Sequence, residues 1–209
     1  MHSTGNPIKD ILNIPAMPKI TVHPGEQYVT DKPELITTLL GSCVAVCLFD
    51  PVAKVAGMNH FLLANRRYSR EMPVAISEAG RYGINAMELL INALLHIGAR
   101  KDRLRAKAFG GGNVLNSVSC DNFTCVGDIN ERFIREFLKT ENIMLESEDL
   151  GGERGRVIKF RTDTYAVYRR FIVKNATVAL EKKERGYWKK TIELHQKADE
   201  TKSDVILFK

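Results

Sequence analysis

Two periods of hydrophobic and polar positions alternate along the chain. Ser42 to Phe49 (SCVAVCLF) is a short apolar run rich in β-branched residues that stops at Asp50-Pro51, and Val55 to Leu63 (VAGMNHFLL) follows at once. Two such runs around Asp-Pro predict a β-hairpin, because Pro is preset for the first central position of a turn. A helix is expected from about Glu78 to Ile97, with Ile84, Met87, Ile91, Leu94 and Leu95 on one stripe, Ser77 as N-cap and Gly98 past the last turn. Arg105 to Phe109 reads as a strand entering Gly110-Gly111-Gly112. A second helix is expected to begin near Asp128, whose spacing to Glu131 fits a capping box, to bury Ile129, Phe133, Ile134 and Phe137, and to end near Thr140. Ile143 to Asp149, Arg156 to Thr162 and Tyr165 to Val173 read as strands, the last two as a hairpin across Asp163-Thr164.

The strands come largely as adjacent antiparallel runs, so the expected class is α+β in layers rather than a doubly wound parallel sheet. At 209 residues the chain suits one domain with tails. Residues 1–24, carrying Pro7, Pro15, Pro18 and Pro24, read as an irregular or partly extended lead-in. The domain spans 25–173, and 174–209 form a charged extension with one apolar cluster at Tyr187-Trp188.

Composition narrows the partners. A hydrophobic share of 44% is enough for a core and excludes global disorder. The 31 Lys+Arg against 25 Asp+Glu give +6, which favours acidic partners. The basic clusters, such as Arg100 to Arg105 and Lys182 to Arg185, come with no zinc finger, RNA-recognition motif or evident helix-turn-helix, so they read as solvated faces and no nucleic-acid partner is expected. The most apolar stretch, Ala86 to Ala99, is broken by Glu88, Asn92 and His96 and is shorter than the roughly 20 residues a bilayer requires, so no membrane insertion is expected. The N-terminus shows no signal-peptide pattern. Four cysteines are too few for a disulfide scaffold, and a cytoplasmic protein with reduced thiols is expected.

Chemistry concentrates around one of those cysteines. With the turn centred on Pro51-Val52, Asp50 faces Ala53 and Cys43 faces His60. Directly opposed residues hold their Cβ atoms about 4.5–5.5 Å apart on one face. A thiolate is the nucleophilic form of cysteine, and a neighbouring imidazole promotes it. Gly41-Ser42 would let backbone N–H groups approach a reacting carbonyl, and Thr37, six residues upstream, carries a hydroxyl suited to orienting the histidine. Nucleophile, base and orienter are the roles that acyl transfer needs. Against this stands the ordinary fate of a buried cysteine, which is packing. Cys47, on the same strand and face among Val46, Leu48 and Phe49, reads as core. Cys120 and Cys125 form at most half a zinc site, and His96 reads as a helix-end or surface residue, so no metal is expected. Gly110 to Gly112 lack the Lys-Ser/Thr of a phosphate-binding loop, and no cofactor is expected.

The segment TTLLGSCVAVCLFDPVAKVAGMNHFLL closely resembles the CheD family, the chemoreceptor glutamine deamidases of bacterial chemotaxis. The resemblance continues through FGGGNV (Phe109 to Val114), VGDIN (Val126 to Asn130) and DLGGERGRVIKF (Asp149 to Phe160) and spans roughly residues 25 to 173. Ala64 stands where the family often has Pro, Asp128-Ile129-Asn130 replaces a more usual Glu-Arg-Asn, and the tail after Lys174 matches no family motif. The resemblance implies Cys43 as nucleophile, His60 as base and Thr37 as the third member of a triad. It further implies an α/β/β/α-type layered domain, glycines 110–112 near the site, methyl-accepting chemoreceptors as substrates and a CheC-type phosphatase as partner. Hydrolysis of receptor glutamyl methyl esters through the same acyl-enzyme is compatible with it. The rival reading is a non-catalytic chemotaxis adaptor that uses the domain only to bind receptor or phosphatase.

Overall fold

The computed structural model describes residues 17–63, 78–114, 126–172 and 186, with backbone only for 78–81. Its strands are β1 (Lys19–Thr21), β2 (Gln27–Thr30), β3 (Leu35–Leu40), β4 (Val44–Asp50), β5 (Val55–Phe61), β6 (Arg105–Gly110), β7 (Met144–Leu150), β8 (Arg156–Arg161) and β9 (Val167–Phe171). The α-helices among these residues are α1 (Glu78–His96) and α2 (Val126–Thr140). One sheet has the order β1-β3-β8-β9 and the other β2-β5-β4-β6-β7. Pairing is antiparallel except for β1 with β3 and β6 with β7. The class is α+β, as expected.

The layers follow from strand alternation. Val44, Val46 and Leu48 of β4 face Met87, Leu90, Leu94, Phe133 and Ile134 of the two helices. The alternate residues Ala45, Cys47 and Phe49 face Ile36, Leu40, Ile158 and Phe160 of the four-stranded sheet. Because β4 is covered on both faces, all seven of its residues are buried, which explains why the sequence from Val44 to Phe49 reads as an unbroken apolar run. The order is therefore helices, five-stranded sheet, four-stranded sheet. The outer helical layer implied by the family resemblance is not among the described residues.

Most element boundaries agree with the hydrophobic pattern, and the differences have physical causes. On α1, Met87, Leu90, Ile91 and Leu94 form the buried stripe, while Leu95 is 36% exposed. The buried set follows i, i+3, i+4, i+7, to which Leu90 belongs and Leu95 does not. Helix α2 starts two residues before Asp128, so Asp128 lies in its first turn and accepts a hydrogen bond from Asn113 Nδ2 instead of capping. Within the lead-in, Lys19–Thr21 joins a sheet as the parallel neighbour of β3. Ser77, Cys120, Cys125 and the extension from Lys174, apart from Gly186, lie outside the described residues.

Candidate active site

The β4–β5 hairpin sets the register of the site. Its loop is four residues long rather than two. Asp50 Oδ1 accepts the N–H groups of Val52 and Ala53, Lys54 takes a left-handed φ of 57°, and Asp50 pairs with Val55. His60 therefore faces Ala45, not Cys43. This corrects the expected direct pairing, and its cause is the Asp50 carboxylate, which organises a wider turn than Asp-Pro alone implies. A slip of one residue would have put Cys43 and His60 on opposite faces, whereas a slip of two keeps them on the same one. Cys43, Ala45 and Met58 share the cluster between the sheets, and His60 lies on that face beside Ala45, diagonal to Cys43. Diagonal neighbours are about 7–8 Å apart, within reach of an imidazole.

His60 is 2% exposed and held from several directions. Its backbone N–H donates to Glu26 O at 3.0 Å, and its carbonyl accepts from Gly25 N at 2.7 Å. Its Nδ1 lies 2.8 Å from Thr38 Oγ1, and the Thr38 hydroxyl donates to Val22 O at 2.7 Å. These two contacts assign the tautomer. A threonine hydroxyl has one proton, and Val22 O, an acceptor only, takes it. Nδ1 must then carry a hydrogen and donate to Thr38, which leaves the lone pair on Nε2. That buried nitrogen has no hydrogen-bond partner. Burial pushes the imidazole pKa down to about 4, with the Val22 carbonyl working in the opposite direction. At neutral pH His60 is thus an uncharged base with its lone pair on Nε2.

This titration has a stability consequence. The folded pKa lies below the usual 6.5, so the unfolded chain takes up the proton more readily between pH 6.5 and 4. The contribution of neutral His60 is complete above pH 6.5 and is lost as pH falls through that window. Chemical denaturation across it should show a slope steeper than in His60→Gln by up to about 1.4 kcal/mol per pH unit. Parallel profiles for the two proteins would contradict this.

The threonine that meets the imidazole is Thr38, not Thr37. Ile36 and Leu40 of β3 point between the sheets, so Thr38, which shares their parity, does too. Thr37 has the opposite parity and donates to Ile158 O at 3.0 Å. The structure thus does not bring Thr37 to His60.

Cys43 sits immediately before β4 and is fully buried, and neither it nor Cys47 is in a disulfide. The turn that carries it is held by backbone. Gly111 N–H donates to Cys43 O and Gly112 N–H to Gly41 O, each at 2.8 Å. Gly110 has a φ of 112°, and a Cβ there would lie 2.1 Å from Cys43 O, so only glycine permits this approach. The glycine run is backed in turn by the 149–156 loop, through Gly151 N to Gly110 O at 2.9 Å and Asn113 N to Gly152 O at 2.7 Å. Buried Arg156 ties that loop together, donating to the carbonyls of Asp149 and Gly151 and, at 2.6 Å, to Asp149 Oδ1. Cys47, two positions beyond Ala45 on the same face, is fully buried in apolar surroundings, which raise its thiol pKa well above the ordinary value. His96 ends α1, exposed and remote from this constellation. Among the described residues, no group of three or more His, Cys, Asp or Glu side chains is placed to hold a metal, and no helix is long and apolar enough to cross a membrane.

Residues 62–171 match the family model described as CheD chemotactic sensory transduction. The chain is 54% identical over 177 residues to "Probable chemoreceptor glutamine deamidase CheD 1" of Geobacter sulfurreducens, covering 84% of this chain and 88% of the relative. This chain belongs to the CheD family. It is also 52% identical to "Probable chemoreceptor glutamine deamidase CheD 2" of Shewanella oneidensis over 158 residues, which cover 73% of this chain and 76% of that CheD protein. Among solved structures, the Bacillus licheniformis hypothetical protein YfiH overlaps 68% of the chain and 66% of its own length, at 15% identity and a TM-score of 0.40. The segments that carry the CheD resemblance meet in space. The glycine run 110–112 and the start of α2 bond to the turn bearing Cys43, and the 149–156 loop backs the glycine run.

Proposed function

We propose that this CheD protein deamidates glutamine side chains of methyl-accepting chemoreceptors through a thioester on Cys43. The observation that carries the proposal is the buried Val22–Thr38–His60 relay, which leaves an uncharged Nε2 lone pair on the face that Cys43 shares. In this reading Nε2 takes the thiol proton as Sγ attacks the receptor carboxamide carbon. The tetrahedral intermediate collapses as His60 returns the proton to the departing nitrogen, and ammonia leaves. Nε2 then takes a proton from water, whose oxygen attacks the thioester, and glutamate and the thiol are released. The same acyl-enzyme would accept a glutamyl methyl ester. A CheC-type phosphatase is the partner that the family resemblance implies, and the cytoplasm, where thiols stay reduced, is the compartment that suits a free Cys43.

Thr38 takes the orienting role in this scheme, because its hydroxyl accepts Nδ1–H. Two substitutions separate it from its neighbour. Thr38→Val should lower kcat for ammonia release about tenfold, the cost of roughly one buried hydrogen bond, with KM little changed. Thr37→Val should leave kcat within about twofold and reduce only stability, through the lost bond to Ile158 O. A larger kcat loss in Thr37→Val than in Thr38→Val would remove Thr38 from the mechanism.

A further inference from the structure

Strands β4 and β5 are paired as far as Val44 and Phe61. Continuing that register by two places would set Ser42 opposite Leu63, one residue before Cys43 and three after His60. A side chain occupies the gap. Asn130, in the first turns of α2 and fully buried, donates from Nδ2 to Ser42 O at 2.7 Å and accepts Leu63 N–H at Oδ1 at 2.8 Å. Its carboxamide thus stands in for the ladder hydrogen bond that the diverging strands no longer make directly. Helix α2 can present it there because Gly127 lets the helix start close against the glycine run. A Cβ at Gly127 would lie 2.4 Å from Gly111 O.

All three consecutive carbonyls of the nucleophile turn are therefore held. Gly41 O and Cys43 O are held by backbone N–H groups on the β6 side, and Ser42 O by Asn130 on the β5 side. Asn130 is the one side chain among these three donors, and it alone also grips the segment carrying the base. We propose that Asn130 is a positioning residue for the deamidase reaction, fixing the separation of Cys43 and His60 by bridging Ser42 to Leu63. The inference rests on the catalytic roles given to those two residues above. A peptide group is planar, so pinning the Ser42 carbonyl fixes the plane leading into Cys43, and with the Cys43 carbonyl also pinned the Cα–Cβ bond between the two planes is held. Removing either half of the carboxamide breaks one of the two bonds of the bridge and lets the two segments drift apart.

The test uses Asn130→Asp, a replacement of nearly the same shape. As a carboxylate it offers Ser42 O no hydrogen, whereas as a neutral acid it reproduces both bonds. Two quantities are read: alkylation of Cys43 by iodoacetamide, a small amide, relative to Cys47 in the same molecule, and ammonia release from a receptor fragment. At pH 7.5 the variant should lose about tenfold in the Cys43-to-Cys47 alkylation ratio and in kcat, with KM within about twofold. Both should recover toward wild type, measured at the same pH, as the pH is lowered through the titration of the introduced carboxylate. Adding Asn130→Asp to His60→Gln should slow alkylation no further than His60→Gln alone, since both act through one thiol–imidazole pair. Wild-type alkylation and kcat in a folded Asn130→Asp protein, or effects that multiply in the double variant, would overturn the proposal. If Asn130→Asp does not fold, Asn130→Ser is read by the same ratio and the same kcat, and wild-type values there overturn it equally. Alkylation does not depend on turnover. Coupling without ammonia release from the wild type would sink the deamidase reading alone, and ammonia release without coupling would sink the role of Asn130 alone.

Discussion

Cys43→Ala is expected to abolish ammonia release from a receptor fragment while leaving receptor binding intact. The loss should be at least about a thousandfold, because removing the nucleophile of a covalent mechanism removes the step itself. The fold should survive. Cys43 packs beside Ala45 and Cys47 in the cluster between the sheets, and an alanine there removes a single sulfur atom. Isothermal titration against the receptor fragment, together with an ammonia assay, checks both halves. This substitution also separates the enzyme from the adaptor, since an adaptor that only binds receptor or phosphatase would be indifferent to the sulfur.

His60→Gln is the second large effect, expected to lower kcat by about 100- to 10,000-fold, the usual range for losing a positioned general base. The amide keeps much of the shape and polarity of the imidazole, so the relay to Thr38 and Val22 can persist in part while the proton acceptor disappears. The pH dependence of the wild type carries a matching signature. Burial lowers the His60 pKa to about 4, so kcat/KM should fall on its acid side near pH 4 and not near the ordinary imidazole value of 6.5. Stopped-time ammonia assays from pH 4 to 8 read this directly. An acid limb centred on 6.5 would mean that the base is an exposed histidine, and full activity in His60→Gln would remove His60 from the chemistry.

The elements of this fold were legible where covering on both faces produced long apolar runs. Strand β4 is the clearest case, since its alternate residues serve two different cores and none can be polar without a partner. Register was not legible in the same way. It depends on the Asp50 carboxylate capping the N–H groups of Val52 and Ala53, and nothing in the Asp-Pro pair itself selects a four-residue loop over a two-residue one. Cys43 and His60 share a face in both registers because the two differ by an even shift.

Thr37 and Thr38 show what spacing lacks. Counting back from the cysteine selects Thr37, but alternation from the apolar neighbours Ile36 and Leu40 selects Thr38, and that signal was available in the sequence. Val22 and the Gly25-Glu26 backbone were invisible, because they come from a proline-rich stretch without a period and act through main-chain atoms. Asn130 belongs to the VGDIN motif, but its bridging role was hidden for another reason. It lies beside the apolar stripe of an amphipathic helix, where a polar residue ordinarily faces water, and its partners lie 88 and 67 residues away along the chain.

A thioester on Cys43 carries the chemistry, and hydroxylamine traps it. Added at high concentration to the wild-type protein turning over a receptor fragment, hydroxylamine should intercept the acyl-enzyme. Mass spectrometry of the receptor peptides should then find glutamyl hydroxamate at the positions that otherwise become glutamate, and none with Cys43→Ala. Glutamate as the sole product at saturating hydroxylamine, or hydroxamate formed equally by Cys43→Ala, would contradict the account.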